Sequence, residues 1–452
     1  MSLWTLLGRR VAESGPVRVG VIGAGKFASM YLAQARDLAG IHVVGVADLR
    51  PERARAALQR TAWPEERFSA GSMEEALRTG GTHVTDRGDV VIEAPGVEVI
   101  VEVTGDPLAG AVHASRAIDA GRHVVMVNVE ADSLVGPALA ERAARAGVVY
   151  SMAYGDQPAL ICELVDWART SGFEVVAAGK GTKYLPSYHQ STPDTVWDHF
   201  GFTAEQVATG DYNPQMFNSF LDGTKSAIEM AAVANATRLV PQEQGLGFPP
   251  AGVDELASVL RPPEMGGTLG HRGTVEVVSS LARDGSAVPG DLRWGVYVTF
   301  EPRTDYAVRC LTEYAIPTDD TGRIGALYRP SHLIGLELNT SIASAVLRGE
   351  PTGVGTGFVG DVMTIAKRGL RAGETLDGEG GFTVYGRLAP ASRSLSCDAL
   401  PIGLARGARL RADVKAGSVI RRQDVAVDEE SVAARLRREL ETRTARPRAT
   451  TT

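Results

Sequence analysis

The sequence has little of what would place a protein outside a reducing cytosol or on a charged polymer. Its three cysteines, Cys162, Cys310 and Cys397, are far apart and form no CxxC pair, which excludes a disulfide framework and a cysteine metal knuckle. No lysine- or arginine-rich block occurs and the formal net charge is −7, which excludes nucleic acid and acidic membranes as expected partners. No apolar run approaches the roughly 20 residues of a membrane-spanning helix. The opening "MSLWTLLGRRVAESG" puts Arg9 and Arg10 after its short apolar core rather than before it, unlike a secretory signal. Leu3, Leu6, Leu7 and Val11 instead fall near helical spacing and predict a short docking helix. A cytoplasmic protein is expected.

What is present describes a globular protein of two or three domains. A chain of 452 residues is long for one domain, and 44% hydrophobic against 22% charged content can bury a large core. From Val17 onward, apolar strand-like runs alternate with helical ones: "VRVGVIGAG", "HVVGVAD", "VEVIVEVTG", "HVVMVNV" and "GVVYSMAYG". Runs buried on both faces and separated by helices predict a parallel, doubly wound α/β sheet. Around "THVTDRGDVVIEAPGVEVIVEVTG" two strand candidates stand where one is expected, which reads as a hairpin insertion. The expected domains are 1–155, an α+β region over 156–355, a small β module over 356–427, and a charged helix with a disordered tail over 428–452.

The glycine-rich turn carries the first functional reading. "VIGAGKFA" supplies Gly23, Gly25 and Ala28 as G-x-G-x-x-A, followed by a helix opened by Lys26 and Phe27. Gly23 permits the tight turn, Gly25 lets backbone approach a pyrophosphate, and Ala28 permits close helix packing. Asp48 ends the second strand, at the distance where an acidic residue meets a ribose 2′-hydroxyl. That favours NAD, while Arg50 offers a partner for a 2′-phosphate. Thr104, Gly105 and Asn128 end later strands, where a nicotinamide and its ribose would lie.

Candidate chemistry clusters at strand ends and in the second region. Glu130 and Asp132 follow Asn128; each suits a hard cation, acid/base work or a helix cap, and the cap is the favoured reading for Asp132. Asp156 is read as a helix cap in the same way. "GKGTKYLPSYH" carries Lys180, Lys183 and His189, suited to an anionic substrate. "FNSFLDGTKSAIEM" carries Asn218, Asp222, Lys225 and Glu229; the last three are expected on one face of a single helix. "LYRPSHLIGLE" places Arg329 and His332 at the expected start of an apolar helix.

The motifs "VIGAGKFA" and "VEVTG" and the asparagine of "VNV" resemble the homoserine dehydrogenase type of Rossmann domain. That family has an Asn-Lys pair after this strand, and its lysine serves hydride transfer. Here Asn128 matches but Val129 and Glu130 follow, so the lysine is missing. The element "DGTK" carries Asp222 and Lys225 over as catalytic candidates. The blocks "VNVEAD", "YGDQPALICEL", "GKGTKYLPSYH", "FNSFLDGTKSAIEM" and "YRPSHLIGLE" make the chain similar to a subgroup ending in a SAF-type β-clip, here about residues 360 to 427.

Characterised members of that subgroup include 1-deoxy-D-xylulose 5-phosphate reductoisomerase-like enzymes, and relatives act on branched sugar acids such as apionate. The resemblance implies NADPH, with NADH as the alternative, and a metal-assisted rearrangement coupled to hydride transfer. Glu130 and Asp222 would then hold Mg²⁺ or Mn²⁺, with Lys225 moving the proton and His332 as a further acid/base candidate. Lys180, Lys183, His189, Asn218 and Arg329 would contact the substrate. The alternatives are a simple hydroxy-acid or amino-alcohol dehydrogenase and a non-catalytic NADP(H) sensor. A homodimer or homotetramer is expected.

Overall fold

The computed structural model describes residues 1–209 and 212–445. They form two compact units. The first comprises Met1–Ala159, Leu333–Gly355 and the described residues from Ser431, and the second comprises Leu160–His332 and Thr356–Glu430. The chain thus leaves and re-enters each unit, where the sequence suggested domains in series. The tail beyond residue 445, expected to be disordered, lies outside the described residues.

Six strands build the sheet of the first unit: β1 (Val17–Ile22), β2 (Ile41–Ala47), β3 (His83–Thr85), β4 (Val99–Glu102), β5 (His123–Met126) and β6 (Tyr150–Met152). Their order is β3-β2-β1-β4-β5-β6, and every pairing is parallel. This is the doubly wound arrangement, with its switch point between β1 and β4. The strand centres are apolar because helices cover both faces; Val19, Val21, Val99 and Val101 are fully buried. The expected hairpin is absent. β3 instead joins the edge of β2 in parallel, and a helix over Gly88–Glu93 carries the chain across to β4. The segment is one more crossover, with a strand of only three residues whose short pattern mimicked one arm of a hairpin.

The first and last described helices belong to this unit. The helix Leu3–Ser14 buries Leu7 in a notch at Gly40, where a Cβ would come within 2.4 Å of that leucine. Burying one leucine contributes about 1.5–3 kcal/mol. The helix Val432–Ala445 packs on Val129–Arg145, and its fully buried Arg437 donates to Leu134 O and to Glu441 Oε1.

The second unit is built on a four-stranded mixed sheet of β7 (Glu174–Thr182), β8 (Thr274–Ser279), β9 (Val296–Glu301) and β10 (Gly325–Arg329), in the order β10-β9-β7-β8. β7 and β8 are parallel and the other pairs antiparallel. The helix Thr224–Thr237 is buried along almost its whole length, its polar Thr224, Ser226, Glu229 and Asn235 included. It packs on β8 and on the antiparallel pair β11 (Gly360–Ala366) and β12 (Val384–Pro390). A short pair, β13 (Arg409–Leu410) and β14 (Val425–Ala426), completes the small β module.

Candidate active site

The glycine turn after β1 has the geometry a dinucleotide needs. Gly23 has φ 109°, and a Cβ there would lie 2.8 Å from Val103 O, so only glycine lets this turn pass the backbone after β4. A Cβ on Gly25 would meet nothing within 4 Å, so that face is open. Gly25 caps the helix Lys26–Ala35 without a side-chain acceptor, which leaves the first N–H groups to face a phosphate. Lys26 is exposed, Phe27 is half-buried and Ala28 is enclosed.

Asp48 is built into this turn. Ala24 N–H donates to its Oδ2 at 2.9 Å and Arg50 N–H to its Oδ1 at 2.9 Å, while the Arg50 side chain is exposed. The carboxylate is therefore held where it would meet the adenosine ribose and would repel a 2′-phosphate. Asp48→Asn keeps an acceptor but removes the charge. It should improve the ratio of NADPH to NADH affinity by about tenfold, or 1.4 kcal/mol, read by fluorescence titration of both cofactors.

Around β4 and β5 the structure redistributes the expected roles. Asn128 is buried, and it, not Asp132, caps the helix Val129–Arg145, accepting from Ala131 N–H at 3.0 Å. Its Nδ2 donates to Asp106 O at 2.8 Å and to Thr104 Oγ1 at 3.3 Å. Both ends of the amide thus bind protein, so it shapes the loop after β4 rather than reaching a ligand. Gly110 leaves it room, since a Cβ there would lie 2.6 Å from Nδ2. Gly105 takes φ 73° in the same loop. Glu130 lies in the first turn of the helix, half-buried, where a carboxylate suits the helix dipole. Asp156 Oδ1 accepts from Gln157 N–H at 2.8 Å.

Asp132 sits inside that helix, where Tyr150 Oη donates to its Oδ1 at 2.8 Å. Burial pushes its carboxyl up to about 6, and the Tyr150 bond only partly offsets this. The folded state therefore holds the Asp132 proton more tightly than the unfolded chain does. That stabilisation is complete below the ordinary value of 3.8 and is lost as pH rises through about 6. Relative to Asp132→Asn, the parent should lose about 3 kcal/mol between pH 4 and 7.5 in urea unfolding. A pH-independent difference would contradict it.

One group in this unit was missed from sequence. Glu102, at the end of β4, is fully buried; its Oε1 accepts from Thr104 Oγ1 at 2.6 Å and lies 3.1 Å from His113 Nδ1. A glutamate closing an apolar strand was the available signal.

In the second unit the expected single helix is two, Pro214–Leu221 and Thr224–Thr237, broken at Asp222 and Gly223. Gly223 takes φ 85°, which turns the chain. Asp222 therefore falls outside the helix on which Lys225 and Glu229 lie four residues apart. Glu229 pairs with Lys180 of β7, and both side chains are buried. Lys180 is thus engaged by a carboxylate inside the protein, not presented to a substrate. Asn218 is also enclosed, its Nδ2 donating to Ser191 O at 3.0 Å and Gly380 O at 2.9 Å.

Asp222 closes the first of these helices with no exposed surface. Its Oδ1 accepts from Thr224 N–H at 2.9 Å, and Lys367 Nζ lies 2.8 Å from its Oδ2. Desolvation raises its carboxyl above the ordinary range, against the opposing pull of Lys367. Those contacts make it a support rather than a group that meets substrate. Glu130 belongs to the other compact unit, and among the described residues no three His, Cys, Asp or Glu side chains gather as a metal group. The expected Glu130–Asp222 metal pair has no support.

His189 lies beside this turn. Its Nδ1 is 2.7 Å from Asp222 O, which can only accept, so the ring proton sits on Nδ1. Nε2 then accepts from Tyr184 Oη at 2.9 Å. The ring stacks on Tyr385 at 4.5 Å, and Tyr184 stacks on Phe248 at 3.8 Å. Burial pulls the imidazole below its ordinary value and pushes Tyr184 up to about 12, so both are neutral at pH 7. A hydroxyl donating to a neutral imidazole is a pair able to relay a proton.

Lys225 occupies the first turn of the helix Thr224–Thr237 and is half-exposed. Lys183 donates to His199 O, and desolvation, then Arg293, lowers its ammonium from the ordinary value. Arg329 ends β10, half-buried. His332 lies in a loop with Nδ1 2.7 Å from Trp294 O; the helix expected at this point begins only at Asn339. Glu276 on β8, also missed, is buried and accepts from Gly247 and Phe248 N–H and from Gln242 Nε2. Burial pushes its carboxyl up to about 7.

Three family models match the chain in series. Residues 19–152 match the NAD binding domain of homoserine dehydrogenase, residues 155–338 the catalytic domain described as Oxidoreductase DRL, and residues 363–426 the SAF domain. Two of these models are oxidoreductase domains, one that binds NAD and one that is catalytic. Among curated proteins, none matches the sequence.

Solved structures similar to this chain include the 3-ketoreductase KijD10 from Actinomadura kijaniata in complex with NADP and TDP-benzene. It is 20% identical over 38% of this chain and 48% of that one, with TM-score 0.27. Apo scyllo-inositol dehydrogenase from Lactobacillus casei is 11% identical over 38% and 47%, with TM-score 0.26. Levoglucosan dehydrogenase in complex with NADH is 15% identical over 69% and 66%, with TM-score 0.32. The chain spans about half the length of the first two. Overlaps this loose carry no argument about substrate.

Proposed function

We propose that this oxidoreductase reduces a small polyhydroxylated keto compound, a ketose phosphate or a sugar acid, with a nicotinamide cofactor held by the first unit. The cofactor supplies a hydride to the carbonyl carbon when bound. The protein's own task is to supply a proton to the carbonyl oxygen, giving an alcohol. Lys225 Nζ is the group assigned to that step.

One observation carries the assignment. Lys225 places a half-exposed ammonium in the first turn of a helix whose other polar groups are buried. A cation there works against the helix dipole by about 0.3–1 kcal/mol, so its position serves something other than helix stability. The buried Asp222, with His189 and Tyr184 beside it, fixes the turn that aims this helix start. Lys183 and Arg329, neither fully enclosed, are left to meet the anionic part of the substrate.

A second reading adds a carbon migration before hydride transfer. It rests on the resemblance of the long sequence blocks, such as "GKGTKYLPSYH" and "FNSFLDGTKSAIEM", to reductoisomerase-like enzymes. In that reading a divalent ion chelates adjacent substrate oxygens. A screen separates the two: NADPH and NADH with ketose phosphates, apionate-type acids and homoserine, with Mn²⁺ or with EDTA. Reduction alone gives an unrearranged alcohol and survives EDTA; migration gives a rearranged skeleton and collapses with EDTA. No oxidation of either cofactor with any keto compound would sink both.

A further inference from the structure

We propose that Lys367, contributed by the small β module, is a positioning residue for the acid/base turn at Asp222, so that this module is part of the catalytic unit. The proposal deepens the function proposed above and rests on it for its kinetic consequence only. Lys367 follows β11 and is almost completely enclosed. Its Nζ donates to Ser191 O at 2.7 Å and to Gly381 O at 2.7 Å, and its charge lies 2.8 Å from Asp222 Oδ2. The last contact is an ion pair without hydrogen-bond alignment. One ammonium therefore ties three segments: the loop after His189, the turn after Asp222 and the β module itself.

Neighbouring contacts run the same way. Gly386 N–H of β12 donates to Thr224 Oγ1 at 2.8 Å, at the first residue of the helix that carries Lys225. Tyr385 of β12 stacks on His189. Asn218 Nδ2 donates to Gly380 O, and Gln215 Nε2 to Asp377 O and Glu379 O at 3.1 and 2.8 Å. The polar face of the acid/base turn is thus completed by the module rather than by solvent.

An unpaired buried carboxylate is strongly disfavoured, whereas replacing both members of a buried pair by apolar groups is often neutral. This asymmetry separates positioning from mere stability. Lys367→Met leaves Asp222 alone in the interior, while Lys367→Met/Asp222→Leu removes the pair and keeps the fold. Lys367→Arg retains the charge.

The test has two readouts. The first, free of turnover, is the ¹³Cε1–H NMR titration of His189, assigned by its loss in His189→Gln. In the parent it should titrate below its ordinary value of 6.5, with the neutral ring's proton on Nδ1. In the double variant the turn relaxes and solvent reaches the ring, so the burial that holds the imidazole down is relieved and the titration should move up towards 6.5. The second is kcat, expected to fall at least thirtyfold in the folded double variant with the NADPH dissociation constant unchanged, and to recover partly in Lys367→Arg. A folded double variant with the parent's His189 titration and kcat would overturn the proposal. A parent that oxidises neither NADPH nor NADH with any keto compound would sink the proposed function instead, while the NMR readout would still decide the positioning role.

Discussion

Lys225→Ala should lower kcat by about 10²–10⁴, the usual contribution of a positioned acid/base group, with NAD(P)H affinity unchanged within about twofold. The residue lies in the second unit, whereas Gly23, Gly25 and Asp48, which shape the dinucleotide turn, lie in the first. A loss confined to kcat would mean that an interaction made in the transition state has gone. Lys225→Arg keeps the charge but holds its proton too tightly for exchange near neutral pH. It should recover little. Stopped-flow oxidation of NADPH under saturating substrate reads both variants, and near-parental turnover in Lys225→Ala would remove the proton-handling role.

The second large effect is on stability. Lys180→Met leaves Glu229 buried without its cation, and breaking a buried pair in this way costs about 3–5 kcal/mol. Both side chains are buried, at 6% and 4% exposure, so solvent offers little compensation. Lys180→Met/Glu229→Leu removes both charges and should recover most of the loss, which a denaturant melt would show. If the single variant melts with the parent, the pair is not the closed interior contact described above. If the double variant also loses activity while folded, Lys180 does more than hold β7 to the helix Thr224–Thr237.

The parallel sheet was readable because its strands are buried on both faces and so appear as unbroken apolar runs. The glycine turn was equally readable, since Gly23 and Gly25 answer to backbone geometry that few other residues tolerate. β3 was obscured by its length, three residues being too few to show a period. The apparent single helix around Asp222 was broken by Gly223, a residue compatible with a helix interior until a positive φ is known to be required.

Charged groups in the candidate site were the least legible. In sequence Lys180 and Asn218 look like substrate contacts and Asp222 like a catalytic or metal carboxylate, because polar residues among apolar ones imply a site. The structure gives each a buried partner, and spacing along the chain says nothing of partners from distant strands. Lys367 lies far from Asp222 in sequence and within 3 Å of it in space. Its only signal was one lysine closing the apolar strand "GDVMTIA".

The account's central claim is that a nicotinamide hydride reaches the carbonyl carbon of a small polyhydroxylated substrate. Incubation with NADPH deuterated at C4, followed by mass spectrometry of the product, tests it most directly. The account predicts one deuterium on the former carbonyl carbon, and loss of that product in Lys225→Ala. Product formation without deuterium, or cofactor binding with no reduction of any such compound, would contradict it.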